Sequence, residues 1–256
     1  MRVRPIITVL ISVYNGEKYL CEAIDSILNQ TFKDFEFLII NDVSTDNSKK
    51  IILSYDDKRI RYFENKKNLG LTKSLNNGLK IAKGEYIARQ DADDVSAPER
   101  LEKQLRFLDS YSDYAVVGSF TKIIDEKSKV IYRLKRPIYF PEIKRALMID
   151  NCITHGSVMI RKKCLLEIGF YDEDMNRSQD YELWLRLSEQ YKLANLPKYL
   201  YSWRQHEESI EAKFLSEQKM FVELAKIKAK KRGVWKFTKL DYQIQRLISL
   251  FTPETF

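Results

Sequence analysis

Apolar positions in the first hundred residues switch repeatedly between two periods. Ile6–Ser12 is a nearly unbroken apolar run, and Glu17 to Asn29 then carries Leu20, Ala23, Ile24, Ile27 and Leu28 at helical spacing. Phe35–Ile40 repeats the strand pattern, and Asp46–Tyr55 reads as its crossover helix. Arg59–Glu64 predicts a third short strand. Leu71–Ala82 predicts a helix with Leu71, Leu75, Leu79 and Ala82 on one face, stopped by Gly84. Glu85–Arg89 predicts a fourth strand. Ser96 and Glu99 then have capping-box spacing, with Pro98 in the first turn of a helix through Leu101, Leu105 and Leu108. Repeated strand–helix units of this kind predict an α/β fold with a mostly parallel sheet covered by helices.

The second half is less regular. Tyr114–Ile124, Val130–Leu134 and His155–Ile160 read as strands, Glu142–Ile149 as a short helix and Asp180–Gln190 as a longer one. There is no internal repeat. From about Lys213 the pattern is that of a basic helical tail, with Leu240, Ile244, Leu247, Ile248 and Phe251 at helical spacing.

A chain of 256 residues can bury a good core as one large domain. Its three cysteines, Cys21, Cys152 and Cys164, lack disulfide-framework or metal-ligand spacing, which suits a reducing cytoplasm. Met1–Arg4 followed by Ile6–Val13 imitates a signal peptide. The apolar run is short, however, and Tyr14-Asn15-Gly16 is turn chemistry, so it reads as a first buried strand. No stretch is long enough to predict a transmembrane helix. The net charge of +8 is uneven: residues 213–256 hold ten Lys/Arg against four Asp/Glu. A nucleic-acid-binding domain would carry such charge on its main face, so nucleic acid is not an expected partner.

Two acidic stretches stand at the ends of predicted strands, Asn41-Asp42-Val43-Ser44-Thr45-Asp46 and Asp91-Ala92-Asp93-Asp94. In open α/β sheets the carboxyl ends of parallel strands form the ligand crevice. Carboxylates spaced by one residue suit a hard divalent cation, which can neutralise a diphosphate. The pattern points to a metal-bound sugar nucleotide.

With these stretches in view, the chain resembles the family 2 glycosyltransferases, inverting enzymes of the GT-A fold. Thr8–Asn15, Ile39–Asp46, Asn68-Leu69-Gly70 with Asn76-Asn77-Gly78, Lys83–Ile87 with Asp91–Asp94, and Asp180–Leu187 carry the match over residues 5–210. Asn41 stands where the family often has a second Asp, and Leu75 where many members have Arg, with Lys73 as a substitute. The resemblance implies a GT-A type nucleotide-binding α/β fold plus a C-terminal helical tail. Residues 1–110 would form the nucleotide-sugar half, 111–212 the acceptor and catalytic half, and 213–256 the tail.

The resemblance also implies roles. Tyr14, Asn15 and Asp42 would meet the nucleotide base, Lys73 and Arg204 the phosphates, and Asp91 the ribose side. Asp93 would ligate Mn²⁺ or Mg²⁺, with His206 of the Trp203–Ser209 segment beside it. Asp94 would orient its neighbours or cap a helix. Asp180 would be the general base that takes the acceptor hydroxyl's proton. Helix capping is the competing explanation for Asp42 and Asp180, and packing for Tyr14. His155 reads as a core or acceptor-side residue.

The expected activity is transfer of a hexosyl or N-acetylhexosaminyl group from a UDP-sugar to a saccharide or lipid-linked acceptor in surface glycan synthesis. A sugar-nucleotide nucleotidyltransferase is the alternative, but it needs a Gly-rich basic loop where this chain has Tyr14-Asn15-Gly16-Glu17. A non-catalytic basic module would leave Asp91, Asp93 and Asp180 without a purpose. Basic residues and aromatics in 213–256 predict either an anionic membrane contact on the inner face or a helix packed on the body or in a homodimer.

Overall fold

The computed structural model describes residues 4–207, Ser209, 214–236 and Gln243. Its centre is a mixed, mostly parallel sheet. Strands β1 (Ile7–Val13), β2 (Phe35–Asn41), β3 (Ile60–Glu64) and β4 (Tyr86–Gln90) are parallel neighbours in the order β3-β2-β1-β4. Helices α1 (Leu20–Leu28), α2 (Ser48–Leu53) and α3 (Leu71–Ile81) make the crossovers.

Both sheet faces are covered, which is why β1 and β2 read as continuous apolar runs. Ile7, Val9, Ile11 and Val13 of β1 face Leu20, Ile24 and Ile27 of α1 and Leu101, Leu105 and Leu108 of α4 (Arg100–Ser110). Leu10, one position out of phase, joins Leu38 and Ile40 against Leu75 and Leu79 of α3. The period of two along a strand thus sorts one sequence run into two cores.

The rest of the sheet departs from simple alternation. After β5 (Val95–Ser96) and α4 come β6 (Tyr114–Ile124), β7 (Val130–Leu134) and α5 (Phe140–Ile149). A 3₁₀ turn at His155–Ser157 leads into β8 (Met159–Arg161), α6 (Lys162–Ile168), α7 (Gln179–Leu187) and β9 (Lys192–Arg204). β8 runs antiparallel between β4 and β6, and β9 runs parallel to β6 along its whole length. β9 escapes sequence reading because its register shifts between Leu196 and Tyr199, where Pro197 interrupts any alternation.

One expectation is corrected here. Ser96 does not cap α4: it pairs with Tyr201 as part of β5, and its hydroxyl donates to Gln90. Of the alternatives for the tail, its first half takes packing on the body. Helix α8 (Leu215–Lys231) packs on α7, and Ala225, Ala229 and Trp235 are buried in the main core. Its basic run is largely spoken for. Lys226 donates to the Ile149 carbonyl, Lys228 pairs with Asp172, and Arg232 pairs with Glu182 and Glu189. The apolar series Leu240–Phe251 lies outside the described residues. Among the described residues no helix is long and apolar enough to cross a membrane.

Trp235 tests whether this segment belongs to the body. It is 3 % exposed and donates its indole N–H to the Leu185 carbonyl. Trp235→Ala should destabilise the protein by about 3–5 kcal/mol, the usual cost of truncating a buried Trp. Urea unfolding followed by circular dichroism reads this directly; a cost below about 1 kcal/mol, the level of surface substitutions, would mean a peripheral tail.

Candidate active site

The loops after β1 and β2 are stitched together by side chains. Asn15 has φ of 51° and accepts a hydrogen bond from the Thr45 N–H (2.8 Å), while its own N–H donates to the Ser44 hydroxyl. The Gly16 N–H donates to the Ser48 hydroxyl and the Glu17 N–H to Asp46, and Glu17 in turn accepts from Asn47. Asn15 therefore clamps the loop with its amide oxygen. Tyr14, directly after β1, is 54 % exposed.

Asp42 is buried, and its carboxylate accepts from the Asn65 amide (2.7 Å), the Leu69 N–H (2.9 Å) and the Gly70 N–H (2.8 Å). It organises the turn that starts α3. Lys73 is exposed on the first turn of α3, lining a recess of about 230 Å³ with Asn176, Arg177 and Phe221. A larger recess of about 600 Å³ lies at the opposite end of the sheet around Arg4, Lys83 and Lys162. It holds none of the convergent carboxylates, so the chemistry is assigned to the carboxyl ends of the strands.

The acidic loop follows β4, which is β1's neighbour, and a Cβ on Gly16 would lie 3.5 Å from that of Ala92. Asp91 pairs with the fully buried Arg89 at 2.5 Å. Burial pushes the Asp91 carboxyl up, with Arg89 opposing and Asp93 reinforcing the shift. Asp94 is buried and accepts from the Arg204 N–H, and burial together with Asp93 and Asp91 raises it well above the carboxylate range. Asp93 points the other way, with Oδ2 at 2.9 Å from Nε2 of His206.

Arg204 is placed differently from the expectation of a phosphate contact. Its side chain is fully buried and donates to the Asp93 carbonyl, the Asp125 carbonyl, the Ser128 hydroxyl and the Glu22 carboxylate. Every guanidinium nitrogen is engaged by protein. Arg204 holds the acidic loop rather than offering a charge to the cleft.

Asp180 sits in the first turn of α7, after Ser178 at φ of 51°. Its Oδ2 accepts from the Asn151 amide at 2.7 Å. The side chain keeps a path to solvent, yet protein surrounds it, and burial pushes its pKa up to about 6, with Asp91's charge adding to the effect. His155 Nε2 lies 2.8 Å from the Tyr171 hydroxyl, and burial with Arg89's charge lowers His155 well below its ordinary range, so its ring is neutral. Asp180 and Asp91 both bear on Tyr171, whose hydroxyl stays protonated.

Asp93 thus meets His206, and Asp91's charge reaches Asp180, while Tyr14 follows the carboxyl end of β1. Sequence reading missed Arg89, Asn151, Gly156, Tyr171 and Tyr201. A Cβ on Gly156 would fall 1.9 Å from the Tyr201 hydroxyl and 2.6 Å from Asp91 Oδ2, so only glycine fits there. Arg89 did carry a signal, as a charge inside an otherwise apolar strand that must find a partner.

Among the described residues no three His, Cys, Asp or Glu side chains form a metal cage. Asp93 and His206 supply two donors. That set fits a divalent cation whose remaining ligands would be diphosphate oxygens and water.

The glycosyl transferase family 2 model matches residues 8–169. The chain belongs to the family 2 glycosyltransferases. This glycosyltransferase is 40 % identical over 209 residues to an uncharacterized glycosyltransferase of Methanocaldococcus jannaschii, covering 78 % of this chain and 71 % of that one. It is 36 % identical over 207 residues to the putative glycosyltransferase EpsE of Bacillus subtilis, covering 78 % and 73 %. Its fold is similar to that of S. aureus TarS 1–349 in complex with UDP-GlcNAc, with a TM-score of 0.69 at 21 % identity. It is also similar to the mannosyltransferase PcManGT of Pyrobaculum calidifontis in complex with GDP-Man and Mn²⁺, with a TM-score of 0.68 at 18 % identity. The match covers 86 % and 89 % of this chain and 65 % of each of those chains. The GT-A α/β architecture expected from sequence is the one observed.

Asp180 has a consequence for stability. Its folded pKa of about 6 exceeds the ordinary 3.8, so ionisation opposes folding. The penalty is absent below the ordinary value, grows through the window between the two, and is complete above about 6. Asp180→Asn should therefore stabilise the protein at neutral pH, on the order of 2 kcal/mol after discounting for solvent access. The gain should shrink as pH falls through that window. Chemical denaturation at several pH values checks the sign; a mutant less stable at neutral pH would show that the carboxylate supports the fold.

Proposed function

We propose that this glycosyltransferase moves a sugar from a UDP-sugar to an acceptor hydroxyl with inversion at the anomeric carbon. The observation that carries the reading is Asp180, a carboxylate with a raised pKa, held by Asn151 and within electrostatic reach of Asp91 in the acidic loop. A general base for a sugar hydroxyl must be ionised at neutral pH yet basic enough to take a proton, and a pKa near 6 meets both demands.

In this reading Tyr14 presents its ring to the nucleobase, and Asp91, neutralised by Arg89, lies on the ribose side. Asp93 and His206 would hold Mn²⁺ or Mg²⁺, which would supply positive charge against the donor diphosphate. The Mn²⁺ in the PcManGT complex and the UDP-GlcNAc in the TarS complex support a metal-assisted nucleotide-sugar chemistry. The acceptor hydroxyl lies against Asp180. As its oxygen bonds to the anomeric carbon, its proton passes to the Asp180 carboxylate. The bond to the diphosphate breaks, and the electron pair leaves with the nucleotide. Attack from the face opposite the leaving group inverts the configuration.

Neutral His155 and the Tyr171 hydroxyl line the same pocket without adding charge. The acceptor class that best suits the cleft is a saccharide, free or lipid-linked. The donor sugar is read as a hexose or N-acetylhexosamine.

Asp93→Ala should abolish Mn²⁺-dependent UDP binding in calorimetry while the protein stays folded. Unchanged metal-dependent affinity would remove Asp93 from the site. Asp180→Asn should retain UDP binding and lose transfer by roughly 10²–10⁴-fold, the usual worth of a general base. Transfer should also fall in the wild type as pH drops through about 6, as Asp180 becomes protonated. Product with retained anomeric configuration would overturn the single-displacement mechanism.

A further inference from the structure

We propose that β7 and the start of α5 form a docking surface for an anionic lipid bilayer, bordering the Asp180 side of the cleft. β7 pairs only with the last residues of β6, Thr121–Ile124, and no strand covers its other edge in the described sheet. Ile131 is 59 % exposed, Tyr132 50 % and, in the turn before α5, Tyr139 64 %. Along β7 the side chains alternate, so Ile131 shares a face with Lys129, Arg133 and Lys135, and an exposed aliphatic residue among cations on one strand face marks a contact surface.

The charges around it select the occupant. Lys129, Arg133, Lys135 and Arg145 are exposed, and none of them is in an ion pair among the described residues. Glu142 is the single acidic residue between Lys129 and Arg145. On α8, Lys228 and Arg232 are held by acidic partners on the body, whereas these four cations have none. Uncompensated cations interleaved with aliphatic and tyrosine side chains match a bilayer interface, where rings sit at headgroup depth and cations meet lipid phosphates. The same edge cations disfavour strand pairing with a second copy of the chain.

The surface is linked to the site through Asn195. The connection after β7 is tied to β9 and to the loop before the 3₁₀ turn. Asn195 donates to the Pro137 and Ile138 carbonyls and to that of Cys152, next to the Asn151 that holds Asp180. At this seam Arg136 keeps a buried Nε without a hydrogen-bond partner among the described residues, a group that awaits an acceptor. A bilayer seated on β7 would bring a lipid-borne acceptor to the Asp180 side of the crevice. The docking surface itself does not depend on the proposed chemistry.

Flotation of the full-length protein with phosphatidylcholine vesicles, and with vesicles of equal parts phosphatidylcholine and phosphatidylglycerol, tests this at low salt. The wild type should float with the anionic vesicles and not with the neutral ones. Ile131→Asp, and separately Arg133→Glu with Lys135→Glu, should each lower partitioning, the charge-reversed variant by roughly tenfold or more. Both variants alter exposed side chains, and unchanged UDP affinity would report an intact fold and donor site. A wild type that ignores anionic vesicles, or variants that float as it does, would overturn the proposal. So would variants that dissociate a wild-type dimer without changing flotation, because the surface would then belong to a second copy. Loss of UDP binding in the wild type would instead count against the donor reading, and flotation would still read the surface.

Discussion

Three buried arginines beneath the acidic loop set the geometry on which the site depends. Arg89 pairs with Asp91, and Arg100 donates to the Gln90 amide oxygen, the Ser96 hydroxyl and the Arg89 carbonyl. Arg204 ties that loop to α1 through Glu22 and to the β6–β7 turn through Asp125 and Ser128. A buried guanidinium without partners costs several kcal/mol, so each fixes every group that satisfies it. Asp91 and Asp93 are like charges that would otherwise repel, and they help to keep the buried Asp94 protonated. Their spacing is held by cations on β4, α4 and β9 acting at once. His206, two residues beyond Arg204, meets Asp93 as a result of that anchoring.

Strain and unfavourable charge collect at the same end of the sheet. Asn15, Val43 and Ser178 all have positive φ, at 51°, 61° and 51°, and each stands in a loop that borders the crevice. Left-handed backbone costs an L-residue about 1–2 kcal/mol, most for a β-branched side chain such as Val43. Asp180 adds an ionised carboxylate in a poorly hydrated place. Stability lost there is recovered by the two apolar layers on either side of β1 and β2. Such a division is expected where function requires groups in states that folding alone would avoid.

Charge is distributed by the same logic. The excess of basic residues after Lys213 suggests an electrostatic tail, but Lys226, Lys228 and Arg232 serve inside the protein as partners for Ile149, Asp172, Glu182 and Glu189. Glu182 itself is buried on α7 and would be costly to bury unpaired. Around β7, by contrast, Lys129, Arg133, Lys135 and Arg145 are exposed and stand in no ion pair among the described residues.

The βα repeats, the position of the acidic loops and the order of the motifs were legible in the sequence, because they rest on local periodicity and nearest-neighbour chemistry. β1–β4 and α1–α4 appear within a few residues of where their patterns place them. What depends on contacts across the chain was not legible. Pro197 and a register shift hide β9, yet it is the longest strand and brings Arg204 and His206 to the acidic loop. Ser96 has a capping sequence, but a buried hydrogen bond to Gln90 and strand pairing outweigh a cap. Arg204 looks like a phosphate ligand until burial shows its guanidinium fully engaged. The sequence alone determined the family and the types of group available for chemistry. Only the tertiary structure decided which charges are spent on the fold and which remain free, because that depends on burial and partners far apart in the chain.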